Sequence, residues 1–143
     1  MKKTAGFTLL EVMVVIVILG IIASMVVPNL LGNKEVADQQ KAMVDIQQLE
    51  ATLDMYKLRN GFYPTTEQGL QALVVAATSQ PTPRVFPDGG FIKRLPKDPW
   101  GEDYLLVSPG QMGQIDLFSK GPDRTAGTDD DIGNWADPEQ NQQ

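Results

Sequence analysis

The residues best placed to do chemistry form one loop, residues 119–132, which reads Ser-Lys-Gly-Pro-Asp-Arg-Thr-Ala-Gly-Thr-Asp-Asp-Asp-Ile. Four aspartates, Asp123, Asp129, Asp130 and Asp131, sit there among glycines and threonines. Hard oxygens on a turn-forming segment suit calcium, which takes six to eight oxygen ligands including backbone carbonyls. The spacing is not that of an EF-hand, because no glutamate occupies the required later position. On composition alone a solvated acidic loop is the simpler reading. Two features favour a cation. Residues 61–143 form a small head without disulfides, a kind of domain that often needs a metal or other staple. The adjacent carboxylates of Asp129, Asp130 and Asp131 also repel one another unless a cation lies close.

Other chemistry is scarce. The chain of 143 residues contains neither cysteine nor histidine, which removes disulfides, thiol and imidazole nucleophiles, and ordinary zinc, copper or haem sites. Ser108, Ser119 and Lys120 have no catalytic motif around them, so the cation site is expected to be structural and the chain not an enzyme. Net charge is -6, with the acidity concentrated after residue 100. No basic stripe with interleaved aromatics is present, so a nucleic-acid partner is not expected.

A second chemically marked residue is Glu11. Residues 7–27 are apolar apart from Thr8, Glu11, Gly20 and Ser24. As a helix this run is roughly 31 Å long, about the thickness of a hydrocarbon core. Lys2 and Lys3 precede it and no further basic residue occurs before Lys34, which places the first residues in the cytoplasm and the rest outside. A carboxylate within a membrane helix costs roughly 2.5 to 3.5 kcal/mol on insertion scales, so it needs a purpose; a position at the interface, with the side chain snorkelling, remains the simple alternative. A secretory signal peptide fits less well, for want of a small-x-small cleavage site after the apolar run. Removal of residues 1–6 would leave Phe7 as a new α-amino terminus whose charge can meet Glu11, on the same subunit or a neighbour.

The stretch Lys2-Lys3-Thr4-Ala5-Gly6 followed by Phe7-Thr8-Leu9-Leu10-Glu11-Val12 resembles the class III leader of type IV pilin-like proteins. The resemblance implies cleavage after Gly6 by a prepilin peptidase, N-methylation of Phe7, and a role for Glu11 in docking subunits into a filament. Gly20 and Pro28 match the family's helix-weakening positions, through low helix propensity and a missing backbone donor. They read equally as the Gly and Pro that membrane helices tolerate.

Beyond Pro28, apolar residues recur at Val36, Met43, Ile46, Leu49, Leu53 and Tyr56, one helical face, and Asn60-Gly61 supplies a stop signal. Thr65 and Gln68 have capping-box spacing ahead of Leu70, Leu73 and Val74, which predicts a short second helix. Residues 80–100 hold five prolines and Gly89-Gly90 and read as a surface loop, with a turn at 96–101. Residues 104–107 and 114–119 are strand candidates that should pair antiparallel. The expected fold is α+β and pilin-like: a long N-terminal helix, half membrane and half amphipathic, packed on a small C-terminal antiparallel sheet. The divisions are a leader at 1–6, a transmembrane and assembly helix at 7–33, and a head at 34–143.

The blocks Asn60-Gly61-Phe62-Tyr63-Pro64-Thr65 and Asp98-Pro99-Trp100-Gly101, with the aspartate loop, are similar to the major pseudopilins of the type II secretion system. That resemblance implies a homopolymeric periplasmic pseudopilus that supports export of folded proteins across the outer membrane. The implied partners are minor pseudopilins, the inner-membrane assembly platform and prepilin peptidase. The subunit would cross the inner membrane once before assembly, its head in the periplasm. In the loop the resemblance implies a calcium site made by the Asp123 and Asp130 side chains and the backbone oxygens of Lys120, Thr125 and Thr128. Asp131 or Asp129 can substitute within that set. A type IV pilin for adhesion or DNA uptake, and a membrane-tethered enzyme or binding protein, are the alternative readings.

Overall fold

A computed structural model describes residues 8–135, and for residues 25–31 and 33 it describes the backbone alone. The leader and the expected cleavage and methylation positions, Gly6 and Phe7, lie outside the described residues. The chain divides into two compact units, Met1–Ala37 and Asp38–Gln143.

Helix α1 spans Leu9–Asn60. Its start is set by Thr8, whose side-chain oxygen accepts the Glu11 N–H at 3.3 Å, satisfying one of the orphan donors of the first turn. In the first unit every large apolar side chain from Leu9 to Ile22 is exposed, with Leu9 at 79%. The backbone stays helical across both Gly20 and Pro28. Among the described residues no helix is long and apolar enough to cross a membrane. The described side chains of the apolar run stop at Ser24, short of the roughly 20 residues a span requires.

In the second unit α1 buries Ala42, Ile46, Leu49, Leu53 and Tyr56, in steps of four, three, four and three that keep one face inward. The expected stripe is corrected at its N-terminal end. Val36 is exposed, Met43 only partly buried, and Ala42 sits in the core in their place. The helix ends as its sequence dictates. The Asn60 side chain donates to the Tyr56 carbonyl at 3.1 Å, the Gly61 N–H donates to the Lys57 carbonyl, and Gly61 takes φ +88, the left-handed turn that glycine accepts without strain.

Thr65 and Gln68 exchange the reciprocal bonds of a capping box. Gln68 N–H donates to Thr65 Oγ1 at 3.2 Å and Thr65 N–H to Gln68 Oε1 at 3.1 Å. The element they introduce is a single 3-10 turn, Leu70–Leu73, and not the predicted helix. Gly69 breaks the α path with φ 57 and ψ -167. The Gln68 amide is committed to Ser79 and Pro81 carbonyls in the next loop. A 3-10 turn places residues i and i+3 on one side, and Leu70 and Leu73 are both buried there.

Among the described residues three strands complete the head: β1, Leu105–Val107; β2, Asp116–Ser119; and β3, Ile132–Gly133. They form one antiparallel sheet in the order β1-β2-β3. β1 and β2 are shorter than predicted, and β3 has no counterpart among the expected strands. Tyr104 leaves the ladder to donate its hydroxyl to Asp45 of α1 at 2.8 Å, and burial together with that carboxylate pushes its phenol pKa up. The β1–β2 connection wraps around the Asp116 carboxylate, which accepts N–H groups from Gln111, Met112 and Gly113 at 2.6 to 3.1 Å. Leu106, Leu117 and Ile132 join the apolar face of α1 in one core. The second unit is thus α+β, with a small antiparallel sheet on one amphipathic helix.

The core contains one polar misfit. Tyr56 is fully buried against Phe62 and Phe91, with ring centroids 6.1 and 5.1 Å away, and among the described residues its hydroxyl has no hydrogen-bond partner. Removing an unsatisfied buried hydroxyl restores its desolvation cost. Tyr56→Phe is therefore expected to raise stability by on the order of 1 kcal/mol, read as a higher unfolding midpoint. A midpoint lowered by a comparable amount would show that the hydroxyl is bonded in solution.

Candidate functional site

The acidic loop is the β2–β3 connection, and its ends are fixed by the pairing of Ser119 with Ile132. Ser119 is fully buried. Its hydroxyl donates to Asp98 Oδ2 at 2.6 Å and accepts the Gly121 N–H at 3.1 Å. Gly121 takes φ +66, and a Cβ there would lie 2.1 Å from the Asp130 carbonyl oxygen. Only glycine lets the two arms of the loop approach this closely.

Inside the loop the carboxylates organise the backbone. Asp130 accepts the Asp123 N–H at 3.2 Å and the Thr128 hydroxyl at 2.7 Å. The Thr128 bond leads the contributions that hold the Asp130 carboxyl below its usual range. Asp123 accepts the Thr125 N–H at 2.7 Å. Thr128 Oγ1 also lies 3.0 Å from the Thr125 carbonyl. Asp131 accepts the Gly127 N–H at 2.7 Å, while its second oxygen is buried without a partner among the described residues. Asp129 is exposed and joins none of these bonds. Arg124, at φ 59, donates to the Trp100 carbonyl at 3.0 Å, and Lys120 approaches Glu102 at 3.6 Å.

Asp123, Thr125, Thr128 and Asp130 are therefore brought into one network, and Asp131 lies beside it. Among the described residues no three acidic side chains converge as a ready metal cluster. Calcium does not require that, since it completes its shell with carbonyls and water. An all-oxygen donor set with two adjoining carboxylates, and an orphaned buried oxygen on Asp131, fits a hard cation and no softer metal.

Reading by residue type missed the support beneath the loop. Asp98 is 4% exposed. Its Oδ1 accepts the Trp100 and Glu102 N–H groups at 3.1 and 2.7 Å. The signal available was Asp98-Pro99, a pair that favours turns in which the aspartate bonds the amide two residues on. Asn134 was also missed: it donates to Glu50 at 2.9 Å and accepts the Leu117 N–H at 3.1 Å. No local pattern announces that contact.

At the other end of the chain, Glu11 lies in the exposed first turn of α1, where the helix dipole favours an acid by about 0.3 to 1 kcal/mol. Beyond the helix's own nearby backbone, a Cβ at Gly20 would meet no atom of the described residues within 4 Å, so none of their side chains requires glycine there. Pro28 is described in backbone only.

The profile of the family described as "Type II secretion system (T2SS), protein G" matches residues 29–135. That of the "Prokaryotic N-terminal methylation motif" matches residues 1–27. Over 134 residues the chain is 69% identical to the type II secretion system core protein G of Aeromonas hydrophila, covering 94% of each chain. It is 64% identical over 135 residues to the protein of the same name from Klebsiella pneumoniae, covering 94% of this chain and 96% of that one. Its structure is similar to the crystal structure of the major pseudopilin from the type 2 secretion system of enterohaemorrhagic Escherichia coli. The TM-score is 0.71 at 62% identity, over 77% of this chain and 92% of that one.

Proposed function

The chain belongs to the type II secretion system protein G family and is a subunit of the pseudopilus; we propose that it is processed, membrane-anchored until it assembles, and braced by calcium. Cleavage falls after Gly6, methylation on Phe7, and Glu11 directs docking of one copy against the next. The observation that carries the anchoring and assembly is the first unit itself. Its apolar side chains from Leu9 to Ile22 are all exposed, a surface that water does not tolerate at this extent and that lipid or neighbouring helices must cover. A single-pass position in the inner membrane, with the head in the periplasm, follows from Lys2 and Lys3 ahead of that run.

The partners on this reading are further copies of the chain, minor pseudopilins, the inner-membrane assembly platform and prepilin peptidase. The role is structural and no catalytic step is assigned. In the head, Asp123 and Asp130 with the backbone oxygens of Lys120, Thr125 and Thr128 hold calcium, with Asp131 or Asp129 as a further carboxylate in the loop. The ion supplies positive charge among aspartates whose neighbouring cations, Lys120 and Arg124, engage Glu102 and the Trp100 carbonyl.

Intact-mass spectrometry of the chain purified from cell membranes tests the processing. The expected species has lost residues 1–6 and gained one methyl group. A chain that keeps Met1 in the assembled fraction contradicts the proposal.

A further inference from the structure

We infer that Asp98 and Ser119 are positioning residues for the cation loop, setting its affinity without touching the ion. This rests on the calcium reading above and adds what governs it. The turn at residues 98–102 reaches the loop at three points. Asp98 receives the Ser119 hydroxyl, the Trp100 carbonyl receives Arg124, and Glu102 faces Lys120. The first is the buried one. Asp98 and Ser119 are 4% and 0% exposed, and the Ser119 oxygen passes the constraint on to the Gly121 N–H at 3.1 Å. Gly121 in turn lies against the Asp130 backbone.

The chain Asp98, Ser119, Gly121, Asp130 thus joins the turn to one of the two proposed carboxylate ligands, and fixes the peptides on both sides of Lys120. A site that takes much of its shell from backbone carbonyls depends on how those carbonyls are aimed, and few side-chain charges compensate for a misdirected one. Asp98 has no role as a ligand itself: one oxygen is committed to two amides and the other to the Ser119 hydroxyl. Groups that orient ligands in this way commonly govern metal affinity by about 10- to 100-fold.

Asp98→Asn preserves shape but sets an amide N–H₂ against the Ser119 oxygen, which leaves the buried Ser119 hydroxyl proton without its acceptor. Ser119→Ala removes the link outright. Calcium titration by calorimetry on the full-length protein in detergent, after stripping with chelator, is expected to give Kd values about 10- to 100-fold weaker for both variants. Leu73→Ala, a core change in the 3-10 turn, should lower the calcium-free midpoint and leave Kd unchanged, which separates positioning from general destabilisation. Unaltered Kd in Asp98→Asn and Ser119→Ala, with normal binding by the unsubstituted protein, overturns the positioning role alone. Failure of the unsubstituted protein to bind calcium overturns the calcium reading and this role together.

Discussion

Chelating calcium is expected to lower the thermal midpoint of the head by about 10 to 20 °C relative to the same protein with calcium a hundredfold above its Kd. Linkage gives about 2.7 kcal/mol at that saturation for a ligand that binds only the native state. A domain of about 100 residues shifts by several degrees per kcal/mol. The effect is expected to be large because the head has little else in reserve. It has no disulfide, its described core is one helix face and three short strands, and the loop carries four aspartates, Asp123, Asp129, Asp130 and Asp131. Asp130 and Asp123 already satisfy backbone amides inside the loop, so the ion would add to an arrangement partly made. Differential scanning calorimetry with calcium, magnesium and chelator checks this, and an unchanged midpoint at saturating calcium would exclude the site.

What could be read from the sequence was what local chemistry decides. The end of α1 at Asn60-Gly61 was legible because a C-cap needs only the residues that make it. The Thr65–Gln68 exchange was legible for the same reason. Its consequence was not, because Gln68 spends its amide on a loop eleven to thirteen residues away, and tertiary bonds of that kind override a capping signal. β3 is two residues long and carries no period to detect. The core stripe was legible in phase but wrong in membership at Val36, since periodicity locates a face and does not say where along the helix the head begins to cover it. In the loop, residue types pointed to oxygen chemistry. Which aspartate faces which amide depends on Gly121 and on the buried Asp98–Ser119 bond, and neither is visible before the turn and the loop are set side by side.

Glu11→Leu should abolish assembly while leaving insertion intact. The substitution removes a carboxylate that costs a membrane helix roughly 2.5 to 3.5 kcal/mol at its centre, so insertion gains or is unaffected. Its loss as a first-turn acid costs about 0.3 to 1 kcal/mol, too little to unfold α1, which Thr8 still caps. A residue kept only for anchoring or capping would therefore be replaceable. One whose charge meets the amino terminus of a processed neighbour at Phe7 would not, because that terminus is then left unpaired in an apolar bundle, a penalty of several kcal/mol repeated at every subunit.

The most direct measurement is made in cells whose only copy of the protein carries Glu11→Leu: the amount of subunit in the membrane, in sheared filaments, and the secreted protein in the medium. Membrane levels are expected to be normal, with filaments and secretion reduced by tenfold or more. Filaments and secretion at the unsubstituted level would contradict the role of Glu11 in assembly.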